Sequence, residues 1–261
     1  MLKTLLVRGM VVGVVAGVLA FAMGYVVGEP EVDKAIAFEE LMAKQEAAAP
    51  AAAAGQDMAG MSHEAGGEEE IVSRKNQSTW GLLTGTVVYG AAFGGIFALV
   101  YAYALGRFTG VSPRGLAGLL ALAGFIAIIL APFLKYPATP PAVGNPETIG
   151  PRTGLYLSMI VISVGAMVSS VLVGRGIGRK NGPWTGAIAG GALYIVIIAI
   201  AQTILPDVQE VPDNYPALTL YRFRMANLGI HAVIWTTIGL LFGYLTERSM
   251  QAGRAILRPA H

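Results

Sequence analysis

The sequence predicts an all-α membrane protein, a bundle of six transmembrane helices arranged as three outward-opening hairpins with both termini cytoplasmic. Three observations carry that prediction. Of 261 residues, 54% are hydrophobic and 13% charged, with a mean hydropathy of +0.60. Soluble domains carry about 25% charged residues, and a soluble core of this length has no room for so much apolar surface. The apolar residues also fall in six runs of roughly 20 residues, the length at which a helix crosses the hydrocarbon of a bilayer. The basic residues sit near alternate ends of those runs. Together these exclude an ordinary cytosolic enzyme. The pI is near 8.8, but a net charge of +2 is too small to imply a nucleic acid or another polyanionic partner. The absence of cysteine excludes disulfides, thiolate metal sites, iron–sulfur clusters and thiol catalysis.

The six runs cover residues 9–27, 80–105, 116–134, 153–173, 184–205 and 225–245. The first follows Lys3 and Arg8, and Ala20-Phe21-Ala22 imitates a signal-peptidase site. The run continues to Val27, so we read it as a retained span within one integral membrane domain, 1–261. Basic residues near span ends set orientation. The two termini and the second and fourth connections hold ten of them and one acid, Glu247. The three remaining, longer connections hold eight basic residues and fifteen acids. That places both termini in the cytoplasm of a cell (inner or plasma) membrane, and leaves an acidic exterior that either concentrates cations or only solvates long loops.

Small residues recur at four-residue spacing: Gly9, Gly13 and Gly17; Gly81 and Gly85; Gly90 and Gly94; Gly182, Gly186 and Gly190; Gly239 and Gly243. Such rows let helix backbones approach closely in lipid and point to a compact bundle, not to a function. A Tyr-Pro-Ala triplet occurs twice, at Tyr136 and at Tyr215, too little to establish a duplicated unit.

The first outward connection, 28–79, opens with Gly28-Glu29-Pro30-Glu31-Val32-Asp33. Proline suits a first helical position and acids suit a first turn, so a short amphipathic helix is expected over about 30–46. Helix-start chemistry alone accounts for Glu29, Glu31 and Asp33. The alternative is a metal role, since Glu29, Asp33 and Glu40 share a helical face and offer hard oxygen ligands. A tether over about 47–78 follows, with a composition too polar and too Ala/Pro-rich to fold alone. Within it Met58, Met61 and His63 form a candidate metal lure, suited by its thioethers to Cu(I). The second outward connection is stiffened by Pro137, Pro140, Pro141 and Pro146, and Lys135 at its start can snorkel or pair with an acid. The third carries Asp207, Glu210 and Asp213, then Arg222 and Arg224 at the head of the last span. Arginine there opposes the helix dipole, and we expect Arg222 or Arg224 to pair with Glu29, Glu31 or Asp33.

His231 lies about two turns into the last span with Asn227 one turn earlier on the same face. An ionisable group inside a membrane is a functional candidate by default; hydrogen bonding to a neighbouring helix is the structural alternative. Gln202 and Thr203 are placed to share its cavity. Met159, Ser163 and Met167 form a stripe that core packing explains best. There is no phosphate-binding Gly-rich loop, His-Glu-x-x-His pair or nucleophile elbow, so an enzyme is not expected.

The segments Gly28-Glu29-Pro30-Glu31-Val32-Asp33-Lys34-Ala35-Ile36-Ala37-Phe38-Glu39, Phe133-Leu134-Lys135-Tyr136-Pro137 through Asn145-Pro146-Glu147-Thr148, and Leu205-Pro206 through Arg222-Phe223-Arg224 resemble the CbtA family of predicted cobalt transporter subunits. With the small-residue-rich spans between them, the resemblance covers nearly the whole chain. It implies Co²⁺ uptake linked to cobalamin supply, with a small single-span partner, CbtB, in the lipid bilayer; we expect no tightly bound cofactor. On that basis the expected metal residues are Glu29, Glu31, Asp33 and Glu39 at the mouth, with Asn227 and His231 passing the ion inward. Two other readings stay open: a non-transporting subunit of a larger membrane complex, and copper handling through the Met/His tether. The oligomeric state is open as well.

Overall fold

A computed structural model describes residues 2–48, 72–108, 110–141, 143–144 and 146–256. Met58, Met61 and His63 lie outside the described residues. The described residues are mostly helical, with no strand among them. The elements in order are α1 (Leu2–Met23), a π turn (Gly24–Gly28), α2 (Glu29–Ala48), α3 (Arg74–Asn76), a π turn (Gln77–Gly81), α4 (Leu82–Ala104), α5 (Pro113–Gly124), a π turn (Phe125–Leu130), α6 (Ala131–Lys135), a 3₁₀ turn (Pro146–Thr148), α7 (Ile149–Asn181), α8 (Pro183–Ile204), α9 (Ala217–Thr237), a π turn (Ile238–Phe242) and α10 (Gly243–Ile256).

They join into six continuous helices long and apolar enough to cross a membrane: Leu2–Gln45, Arg74–Ala104, Pro113–Lys135, Ile149–Asn181, Pro183–Ile204 and Ala217–Ala252. All six apolar runs of the sequence fall on them. Large apolar side chains cover the outside, including Trp184, Val161 and Ile188. Such a surface is stable only against lipid or protein.

The first helix does not stop where its apolar run stops. Through α2 it continues to Ala48, about 70 Å in all at 1.5 Å per residue, roughly twice the depth of a hydrocarbon core. Pro30 therefore sits inside a continuous helix and not at its start. Proline lacks an N–H and its ring collides with the carbonyl four residues back. The π turn absorbs this, with the Glu29 N–H reaching back five residues to the Gly24 carbonyl. The same device precedes Pro132, where the Ala131 N–H bonds the Ile126 carbonyl. The second span likewise starts earlier than its apolar run, at Arg74.

Small residues decide which helices meet. Gly9, Gly13 and Gly17 of α1 lie directly on the α4 backbone at Gly94, Gly90 and Thr86. A Cβ at Gly13 would sit 2.7 Å from the Gly90 carbonyl carbon, and closer still to its oxygen. Gly174 and Gly178 of α7 meet Gly186 and Gly190 of α8 in the same way across a turn at Gly182, whose φ of +93° suits glycine. Gly239 and Gly243 receive Ala121 and Ala117 of α5. A Cβ at Gly85 would meet nothing within 4 Å and one at Gly81 only the nearby Asn76 carbonyl, so the row at Gly81 and Gly85 does not pack on another span. The close pairs are thus first with second span and fourth with fifth, while the sixth packs on the first and third. Where the sixth span meets the second, the core is aromatic: Phe97 and Tyr101 meet Phe242 edge-on at 5.4 and 5.0 Å, and Phe93 meets Trp235 at 5.7 Å. In the fourth span Met159 and Ser163 are fully buried, and the Ser163 hydroxyl lies 2.8 Å from that of Tyr194, which fits a packing stripe.

Candidate functional site

α9 presents two faces. Ala226 and Ile234 are buried, and Ile230 on the same face lies against Gly24 and Gly28 of the first span. Leu220, Arg224, Asn227 and His231, at offsets of four, seven and eleven, line a cavity of about 740 Å³ instead. Its other walls are α6, the connection at Tyr136–Thr139, the first turns of α7, and the connection from Asp207 to Val211. It lies at the end of the bundle that carries the three long connections.

The cavity has a built electrostatic frame. Arg152 of α7 pairs with Glu210 at 3.0 Å, and the Thr148 hydroxyl donates to the same carboxylate. Gly144, with φ +111°, lies against this pair: a Cβ there would come within 2.8 Å of Arg152 Nη1 and 2.9 Å of Glu210 Oε2. Lys135, only 7% exposed, donates to the Gln202 carbonyl at 2.8 Å and pairs with Asp207 at 2.5 Å. Tyr136 donates to the Pro206 carbonyl at 2.9 Å, and Arg224 Nε to the Ala138 carbonyl at 3.3 Å. The second and third long connections are thereby stapled to each other and to α9. The two Tyr-Pro-Ala triplets do different jobs: Tyr136 ties the two connections together, whereas Tyr215 packs edge-on to Phe38 of α2 at 5.0 Å.

At the deep end of the polar face stands His231. Its Nδ1 is buried without a hydrogen-bond partner, and its ring lies edge-on to Tyr89 at 6.2 Å. A neutral imidazole offers one nitrogen lone pair to an acid proton or a borderline metal, and the Asn227 amide one turn away adds an oxygen. Gln202 and Thr203 do not line this cavity. Gln202 bonds the Ala131 carbonyl and Thr203 its own helix at Ile200.

The acids of α2 form a separate group. Glu29 and Asp33 both hold Arg74, at the head of the second span, with Asp33 at 2.9 Å. Glu31 Oε1 accepts from Lys34 at 2.7 Å while Oε2 is buried with no partner. Glu31, Ala35, Phe38 and Met42 make the face that meets Tyr215 and Asn214. Burial pushes the Tyr215 phenol up, and the Glu31 carboxylate adds to that. Glu39 is exposed, and Glu40 faces Lys44 at 3.8 Å.

Arg222 and Arg224 therefore do not take the acids expected for them. Arg224 rests on a carbonyl and Arg222 is exposed, while Arg74 occupies Glu29 and Asp33. The expected metal residues are split, with Asn227 and His231 in the cavity and Glu29, Glu31, Asp33 and Glu39 on α2. Among the described residues no group of three or more histidines and carboxylates is placed to hold a metal ion. Sequence reasoning missed Arg74, Arg152 and the Gly144 cradle.

Against known families, the model described as "Probable cobalt transporter subunit (CbtA)" matches residues 2–247, which takes in the cavity, α2 and nearly all of the six spans. No curated protein and no solved structure matches.

Proposed function

The chain belongs to the CbtA family of probable cobalt transporter subunits, and from that premise we propose that it takes up a divalent transition metal, Co²⁺, across the cell membrane, together with a small single-span CbtB-like subunit. The metal enters through the cavity lined by α9. The observation that carries this reading is the placement of Asn227 and His231 on the wall of an opening that starts at the loop end of the bundle. Co²⁺ accepts mixed imidazole and oxygen ligands, so His231 nitrogen, Asn227 oxygen and retained water suit a transient stop. A transient stop also suits transport, because a full ligand cage would hold the ion too long.

In this account Glu29, Glu31, Asp33 and Glu39 act first as a field. Glu29 and Asp33 share the single positive charge of Arg74, and the negative charge left over draws cations toward the mouth. The loop end faces outward and the termini lie in the cytoplasm, in line with the basic residues near the other span ends.

The test is radiocobalt uptake by cells expressing the chain alone and with its small partner, with copper and nickel as competitors. Uptake that saturates with cobalt and is lost in His231→Ala, with the variant present at normal level in the membrane, is the expected result. Uptake unchanged in His231→Ala would move the route away from the cavity. No uptake in any combination would leave a non-transporting subunit of a larger complex.

A further inference from the structure

The cavity is more basic than the path of a bare dication calls for. Lys135, Arg152 and Arg224 line it against Asp207 and Glu210. Each acid is already matched, Asp207 to Lys135 and Glu210 to Arg152. Arg224 has no carboxylate within ion-pair distance among the described residues; its Nε donates to a backbone carbonyl, and the residue lines the cavity. A half-buried guanidinium at the head of a span is costly without a counter-ion, and its planar fork matches the two oxygens of a carboxylate or phosphate. Asn227, less than one turn away on the same face, adds an amide donor. Deeper still, His231 has a buried Nδ1 with no partner. Arg224 and Asn227 thus place a positive charge and an amide N–H side by side on this face of α9.

We propose that the cavity binds a small oxyanion, a carboxylate or phosphate group, on Arg224, with the Asn227 amide as second donor. The site shares the cavity and Asn227 with the transport reading but does not rest on it, since binding an anion requires no cobalt. An oxyanion on Arg224 also neutralises a positive charge on the path of a dication. A free anion and the phosphate of an anionic lipid share this chemistry.

The experiment uses the full chain, purified in neutral detergent without added metal. Citrate and inorganic phosphate are titrated calorimetrically, and lipid retained from phosphatidylglycerol-containing membranes is measured by mass spectrometry. Saturable binding of citrate or phosphate, weakened at least tenfold in Arg224→Gln and unchanged in the exposed neighbour Arg222→Gln, supports a free anion. Retained phosphatidylglycerol that Arg224→Gln releases, with no binding of free anions, supports a lipid phosphate. Asn227→Leu keeps the arginine and guards against misfolding of the first variant; it should weaken binding several-fold. Absence of both binding and retention in folded wild-type protein overturns the proposal, as does binding that neither variant weakens. Because no cobalt is present, failure here and failure of the uptake test are separate results.

Discussion

Replacing Gly13 by alanine tests what holds the bundle together. The added Cβ would lie 2.7 Å from the Gly90 carbonyl carbon and 3.0 Å from the Ala91 Cα, both of them backbone atoms that no rotamer change can move. Ordinary contact needs at least 3.4 Å, so the first and second spans must part by about 1 Å at that level. A gap of 0.5–1 Å forfeits roughly a quarter to a half of the dispersion well for the atoms it separates, and overpacking of a tight core costs about 1–3 kcal/mol. With backbone on both sides and the contact running from Gly9 to Gly17, the upper end, about 3 kcal/mol, is expected. Gly85→Ala is the control: nothing lies within 4 Å of its added methyl, and alanine's helix preference makes that change neutral or mildly stabilising. Gly13→Ala combined with Gly90→Ala should cost less than the two separately, because one separation relieves both. The assay is reversible unfolding in mixed micelles by SDS titration, followed by tryptophan fluorescence. A Gly13→Ala protein within about 0.5 kcal/mol of wild type would refute the packing argument.

Two further substitutions read the loop end. Gly144→Ala should destabilise by about 1–3 kcal/mol in the same titration, since φ +111° strains an L-residue and the methyl would press on the Arg152–Glu210 pair; a neutral result would mean the pair does not depend on the cradle. Tyr215→Phe removes a buried hydroxyl that has no hydrogen-bond partner, so it should be neutral or stabilising by up to about 1 kcal/mol. Its pH dependence has a defined sign. Burial and the Glu31 carboxylate raise the phenol above its ordinary value of 10.0, so the folded chain holds that proton more tightly. The stability it contributes is intact below pH 10 and lost as the pH rises through the folded value. Tyr215→Phe should abolish that alkaline loss, and melting curves of both proteins between pH 8 and pH 11 check it.

The six spans were legible because hydropathy reports burial in lipid directly. The pairing of spans was partly legible in the glycine rows at Gly9–Gly17, Gly90–Gly94 and Gly186–Gly190. What hydropathy hides is a helix that leaves the membrane, and the signal at Val27 ends where the lipid should end, not where the helix does. Pro30 reads as a helix start because proline is favoured there, and only the π turn before it makes the interior position tolerable. The misassigned ion pair has a similar cause. Arg74 and Arg224 both stand at the head of a span, and both oppose its dipole. The choice between them follows from which helix the first span touches, and the glycine rows carry that information: zipping α1 onto α4 brings Arg74 beside α2. The cavity itself was legible only as a polar face, Asn227 and His231. Its walls come from Lys135, Arg152 and Glu210, which are far apart in the sequence and meet through connections with no periodic pattern.

The chain contains no cysteine, so one introduced thiol is a clean probe of the proposed route. Leu220 lies on the cavity wall above Arg224 and is not among the candidate ligands. In cells taking up radiocobalt, a Leu220→Cys variant with normal basal uptake should be modified from outside by a bulky membrane-impermeant thiol reagent. That modification should abolish uptake, and prior saturation with cobalt should slow it. Complete labelling with uptake unchanged, or labelling only from the cytoplasmic side, would contradict the claim that the metal enters through this cavity.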